Sequence, residues 1–226
     1  METLLLLQIF FTAITLLTVY LFYRASGKRK LVVLIVLLWM LAQAGLGLSG
    51  FYSDTSAFLP RVFFQVIPAF ATIVFLFVNR KTRAWIDNAD AGMLTLLHSI
   101  RIGVELVIYG LFTVKLMPEI LTFEGRNFDI IAGLTAPVVY YFGYVRKVIG
   151  RTGLLIWNFG CLVLLFNIVI HAALSVPTPF QQFGFEQPNV AILQFPFNWL
   201  PSVVVPLVLF SQLIVIRRLF RKQNLV

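Results

Sequence analysis

Residues 4–45 read LLLLQIFFTAITLLTVYLFYRASGKRKLVVLIVLLWMLAQAG, two long apolar runs separated by Arg24, Lys28, Arg29 and Lys30. Each run supplies the roughly 20 mostly apolar residues that a helix needs to cross the hydrocarbon core of a bilayer. The basic knot between them is the kind of cluster that holds a loop on the cytoplasmic side. Met1-Glu2-Thr3 leads straight into leucines, with no basic leader and no small-residue cleavage site, so the first run reads as a retained helix and not a signal peptide.

Working outward, five further segments qualify, at 62–79, 93–113, 128–145, 153–174 and 199–216, beside 4–23 and 31–50. They are too long for barrel strands, and lipid leaves the helix as the one conformation that satisfies its own backbone. The expected fold is therefore all-α, a polytopic membrane bundle of seven transmembrane helices, with residues 1–226 forming a single integral membrane domain. Composition agrees. Charged residues make up 12% of the 226 and hydrophobic ones 60%, whereas soluble domains are about a quarter charged. A soluble fold of this size has too much surface to hide such a sequence.

The charges set an orientation. Arg80, Lys81 and Arg83 follow the third segment, Arg146, Lys147 and Arg151 the fifth, and Arg217, Arg218, Arg221 and Lys222 the seventh. The alternate connections hold Arg61, Lys115 and Arg126 among Asp54, Glu119, Glu124 and Glu186. Basic clusters thus recur with every second crossing, which predicts an N-terminus outside and a C-terminus in the cytoplasm. The net charge of +9 is accounted for by these clusters. It points to membrane lipids with anionic headgroups as partners and not to nucleic acid. Residues 81–90 are expected to form a short interfacial helix with Trp85 at headgroup level. Residues 175–198, rich in Pro, Gln and Phe, are too apolar to float in water. They are expected to lie in the interface or as a lid across the outer mouth of the bundle.

Ionisable residues inside a span are costly and face the bundle interior or a wet cavity. The fourth segment carries His98, Arg101, Glu105 and Tyr109 at spacings of three and four, hence on one helical face. Arg101 and Glu105 are placed to pair. Counted at about 1.5 Å per residue, Gln43, Thr72, Tyr140 and Asn167 fall at a similar depth, so a mid-membrane polar layer of these residues is expected. His171, Asp129 and Glu186 are assigned to an outer layer. The two histidines, His98 and His171, stand roughly 20 Å apart in depth by the same rise, too far to share a metal or a haem. No metal and no cofactor is expected. Cys161, the one cysteine, reads as a packing residue.

Several activities find no support. The last segment has no lysine for a retinal Schiff base. No phosphate-binding glycine loop, GxSxG elbow or HExxH helix is present. Two histidines cannot supply the three-histidine set of seven-span membrane hydrolases.

The stretch from Trp157-Asn158 through Leu174-Ser175-Val176-Pro177-Thr178-Pro179, then Gln187-Pro188-Asn189 and Phe195-Pro196-Phe197-Asn198-Trp199-Leu200-Pro201, resembles small uncharacterised bacterial seven-transmembrane-helix proteins. The resemblance covers the last third to half of the chain. It implies the cytoplasmic membrane of a bacterium and brings no activity with it.

The expected role is binding or transport of a small-molecule ligand through a polar intramembrane cavity. The alternatives are a non-catalytic scaffold or accessory subunit and, more remotely, an enzyme acting on a lipid. Orientation is directly checkable. In a Cys161→Ser background, Thr3→Cys should react with an impermeant maleimide from outside and Gln223→Cys only after permeabilisation. Labelling of both from one face would refute an odd number of crossings.

Overall fold

The computed structural model describes residues 2–55 and 60–221. Lys222, counted above in the C-terminal basic cluster, lies outside them. The described residues are helical and contain no strand. The helices are α1 (Glu2–Ala25), α2 (Lys30–Leu48), α3 (Phe63–Val78), α4 (Arg80–Asp87), α5 (Ala91–Leu97), α6 (Ile100–Thr113), α7 (Ile130–Tyr140), α8 (Arg151–Ala173) and α9 (Val205–Phe220). Wider turns extend α7 through Tyr141–Val145 and precede α9 at Leu200–Val204. Five helices are long and apolar enough to cross a membrane, or six if the bent α3–α4 pair counts as one span. This marks the chain as a membrane protein.

Each apolar segment read from the sequence corresponds to a helix or a pair of helices, but two depart from a simple span. Residues Ile130–Val145 form a shorter apolar helix, about 24 Å long at the α-helical rise against a hydrocarbon core of roughly 30 Å. The chain also bends by 90° between α3 and α4. Asn79 makes that corner, its side-chain oxygen capping α4 by accepting from the Lys81 amide at 2.9 Å.

The α5–α6 segment and α9 form the buried centre, while α2 lies at the periphery with only Met40 and Gln43 buried. Helix α1 turns Phe11, Ile14, Thr15, Thr18 and Phe22 inward, a stripe at spacings of three and four. Thr15 and Thr18 donate to the carbonyls four residues back, at 3.0 and 2.8 Å, so neither hydroxyl is left bare. The stripe packs on the glycine face of α6, where Ile14 lies against Gly103 and Leu7 against Gly110. The other face of α1 exposes Leu6, Ile9, Leu16 and Leu17, as a lipid solvent permits.

The basic clusters gather at one end. The Asp90 amide donates to the Ala25 carbonyl at 2.8 Å, and Trp85 Nε1 donates to the Ser26 carbonyl at 3.0 Å. Asp87 holds Arg217 through bonds of 2.8 and 3.2 Å and also pairs with Arg221, tying α4 across the foot of α9. At the opposite end, residues 175–198 fold onto the bundle. Val190 and Ala191 amides donate to the Leu116 carbonyl, Gln187 Nε2 to those of Phe112 and Met117, and Gln65 Nε2 to that of Ile192. The loop is thereby fastened to α3 and α6.

Helix α7 approaches α6 at Gly133, where an added Cβ would lie 2.9 Å from the Ile102 amide nitrogen and 3.3 Å from Arg101 Cβ. Gly133→Leu should push the two helices apart and cost about 1–3 kcal/mol or more. A lowered thermal midpoint in detergent measures this, and an unchanged midpoint would refute the close crossing.

Candidate functional site

Helix α5 and α6 make one apolar segment broken at His98–Ser99. The amides of His98, Ser99, Arg101 and Ile102 bond to carbonyls three residues back, so the helix tightens for a turn just before Arg101. From there the guanidinium reaches α7. Arg101 Nη1 donates to Asp129 Oδ1 at 2.6 Å and to the Cys161 carbonyl at 3.4 Å, and Nη2 donates to Gln212 Oε1 at 3.4 Å. Gln212 in turn donates to the Asn158 carbonyl at 2.6 Å. Arg101, Asp129, Gln212 and Asn158 are all buried. Arg101 Nε has no hydrogen-bond partner among the described residues.

The Arg101–Glu105 pair expected from spacing is not formed. Glu105 accepts from Asn127 Nδ2 at 2.6 Å, and Asp129 takes the guanidinium. The reason is the path of residues 118–129. Asn127 stands level with Glu105, although α6 continues eight residues beyond it, about 12 Å at the helical rise. The connection therefore folds back along α6, and α7 starts deep in the bundle. It is held in that path by bonds from Arg126 N to the Ile120 carbonyl, from Asn127 N to that of Thr122, and from Asn127 Nδ2 to that of Leu121.

The same offset corrects two other placements. Asp129 belongs to the Arg101 cluster and not to an outer layer. Tyr140 falls beside Gly92, at the start of α5 near the basic end, and not at mid-depth. The remaining expected members disperse. Gln43 is buried in a separate knot, accepting from the Tyr52 hydroxyl at 2.6 Å while its carbonyl accepts from Asn198 Nδ2 at 2.6 Å. Thr72 is exposed and donates to the Pro68 carbonyl. Tyr109 stacks on Phe123. Asn167 donates to the Arg126 carbonyl at 2.8 Å. His98 is buried edge-on to Trp157, and neither ring nitrogen has a partner among the described residues. His171 bonds the Asn167 carbonyl and stacks on Phe183, while Glu186 is exposed. Asp129, His171 and Glu186 share no hydrogen bond or ion pair among the described residues, so the outer cleft a lipid enzyme would need is not assembled from them. No group of three or more His, Cys, Asp or Glu side chains is disposed to hold a metal ion among the described residues.

Arg101, Glu105 and Asp129 line a cavity of about 260 Å³. Its walls come from Val66 and Phe70 of α3, Val104 and Ile108 of α6, and Leu165 and Ile168 of α8. Val204 and Val208 close it from the α9 side, and Val176, Thr178, Phe180 and Asn189 of the long connection close its far end. The cavity is therefore charged at its floor, where Arg101 and Glu105 were expected, but apolar along its sides, where the expectation was a polar cavity. Asn127, Gln212 and Asn158 complete the floor network. Sequence reading missed them because Asn127 reaches Glu105 and Gln212 reaches Arg101 from other segments, with Asn158 joined only through Gln212, and no spacing within one helix could signal such contacts.

This architecture defines an all-helical membrane bundle with a charged cluster beneath an apolar cavity. Residues 57–220 match the family described as a domain of unknown function, DUF8737, and the chain belongs to that family. The match begins after α2 and includes every residue that lines the cavity. No curated protein and no solved structure matches the chain.

Removing one partner of a buried ion pair leaves the other uncompensated, at a cost of about 3–5 kcal/mol. Asp129→Ala should lower the thermal midpoint sharply, and the double variant Arg101→Met/Asp129→Leu should recover most of the loss. A double variant no more stable than Asp129→Ala would show that the pair is not the unit that matters.

Proposed function

We propose that the protein sits in the cytoplasmic membrane of a bacterium as a bundle of seven transmembrane segments, basic end in the cytoplasm, and binds or transports a small amphipathic molecule in this cavity. The observation that carries the reading is the joining of apolar walls to a floor of Arg101, Asp129 and Glu105. Small-molecule sites are concave and mostly apolar, with a few polar groups that fix orientation. The volume suits a compact ligand. Its apolar body would lie along Val104, Ile108 and Leu165, and a hydrogen-bonding end group would meet the cluster. The Arg101 Nε–H, which has no partner among the described residues, supports a polar contact there.

A second reading also has an observation behind it. The other guanidinium nitrogens of Arg101 are engaged by Asp129, Gln212 and the Cys161 carbonyl. That suits a scaffold or accessory subunit whose cluster only locks α6, α7, α8 and α9 together.

Native mass spectrometry of the protein extracted in mild detergent separates the two. The binding reading expects a bound small molecule that is lost from Val104→Phe, which fills the cavity and leaves the charges in place. It also expects loss from Arg101→Met/Asp129→Leu while the helical content stays unchanged. An empty wild-type protein under conditions that preserve its fold would favour the scaffold and end the binding reading.

A further inference from the structure

Helix α2 is fastened to the rest of the bundle at one half of its length. Trp39 Nε1 donates to the Ser202 carbonyl at 2.8 Å, the Met40 carbonyl accepts from Trp199 Nε1 at 3.0 Å, and Gln43 carries the bonds to Tyr52 and Asn198. From Lys30 to Leu38 no side chain of α2 bonds to another helix among the described residues. Along that free half a groove of about 290 Å³ runs between α2, α3 and α9. Val32 and Val36 form one wall, Ala69 and Ile73 a second, and Leu207 and Phe210 a third. It is separate from the Arg101 cavity and shares no lining residue with it.

The end of the groove is chemically distinct. Trp85 closes it, with its Nε1 committed to the Ser26 carbonyl and its ring facing the Arg29 guanidinium at 5.9 Å from the centroid. Lys28, Arg29 and Lys30 are exposed and enter no ion pair among the described residues. Neither do Arg80, Lys81 and Arg83 at the α3–α4 corner. The acids of this end are occupied, Asp87 by Arg217 and Arg221 and Asp90 by the Met93 amide. A lipid-facing apolar slot thus leads to a cationic mouth whose basic side chains have no carboxylate partner among the described residues.

We propose that the groove binds one acyl chain of an anionic phospholipid, with the phosphate held by Arg29 and Lys30. The chain lies against Val36, Ala69 and Leu207 and supplies the packing that α2 does not receive from its neighbours. The cationic mouth selects the headgroup, since basic pockets between helices at the cytoplasmic face retain anionic lipids. A zwitterionic lipid has the same chain and the same phosphate, but its headgroup cation offsets that charge and is repelled by Arg29 and Lys30, so it is held less well.

The test uses the full chain reconstituted in vesicles of equal phosphatidylglycerol and phosphatidylcholine, extracted in mild detergent and weighed by native mass spectrometry. Wild type should retain phosphatidylglycerol in preference to phosphatidylcholine. Arg29→Gln/Lys30→Gln should reduce that retention about thirtyfold, given the attraction of each basic side chain for an anionic surface. These residues are exposed, so the change should not disturb the fold. Arg146→Gln/Lys147→Gln, at another basic connection, should retain the lipid as wild type does. A phosphatidylglycerol with a photoreactive acyl chain should crosslink to peptides containing Trp39 or Thr72. Equal retention of both lipids, equal loss in the two double variants, or crosslinks confined to helices other than α2, α3 and α9 would each overturn the proposal.

Discussion

A guanidinium buried in an apolar bundle must find an anion, and the contact of Arg101 with Asp129 sets the course of much of this chain. Taking either charge out of water alone would be prohibitive, and the pair survives because geometry and extra hydrogen bonds accompany it. Gln212 and the Cys161 carbonyl provide those bonds from α9 and α8. For Asp129 to stand beside Arg101, α7 has to begin well below the end of α6. The connection before it must therefore turn back into the bundle, and α7 is left too short to match a full hydrocarbon thickness. Gly133 makes the approach sterically possible, since a side chain there would strike the α6 backbone.

The cavity follows from the same arrangement. The cluster draws α6, α7, α8 and α9 together at its own level, while α3 stays at a distance from α8 above it. The space between is walled by branched aliphatic side chains and closed by residues 175–198. Pro68 lies within α3, Pro201 lies in the wide turn before α9, and Pro206 opens α9. A proline cannot donate to the preceding turn. Wide turns of this kind often occur at functional sites, and this one contributes Leu200, Pro201 and Val204 to the cavity wall.

Much of the architecture was legible from residues alone because lipid imposes a strong rule on composition. The segments at 4–23, 31–50 and 153–174 reappear as α1, α2 and α8 within a few residues. The segment at 93–113 reappears as α5 and α6. The expected short helix near Trp85 is α4, and the long apolar connection does lie over the bundle. The polar layer was less legible. Depth counting assumed that each helix begins level with the end of the one before it, and α7 does not. That one assumption displaced Asp129 outward and Tyr140 toward the middle. Gln43 and Thr72 were placed by depth alone, and rotation about the helix axis turned them to other neighbours.

The sequence by itself determined which segments suit a bilayer, because a helix of about 20 apolar residues can cross its hydrocarbon core, and it determined which connections carry the basic charge. Only the tertiary structure decided which carboxylate neutralises Arg101 and which residues share the cavity. Those depend on where each helix starts and how it is rotated. Such choices arise from contacts between segments distant in the chain, as when Asn127 takes Glu105 and leaves the guanidinium to Asp129.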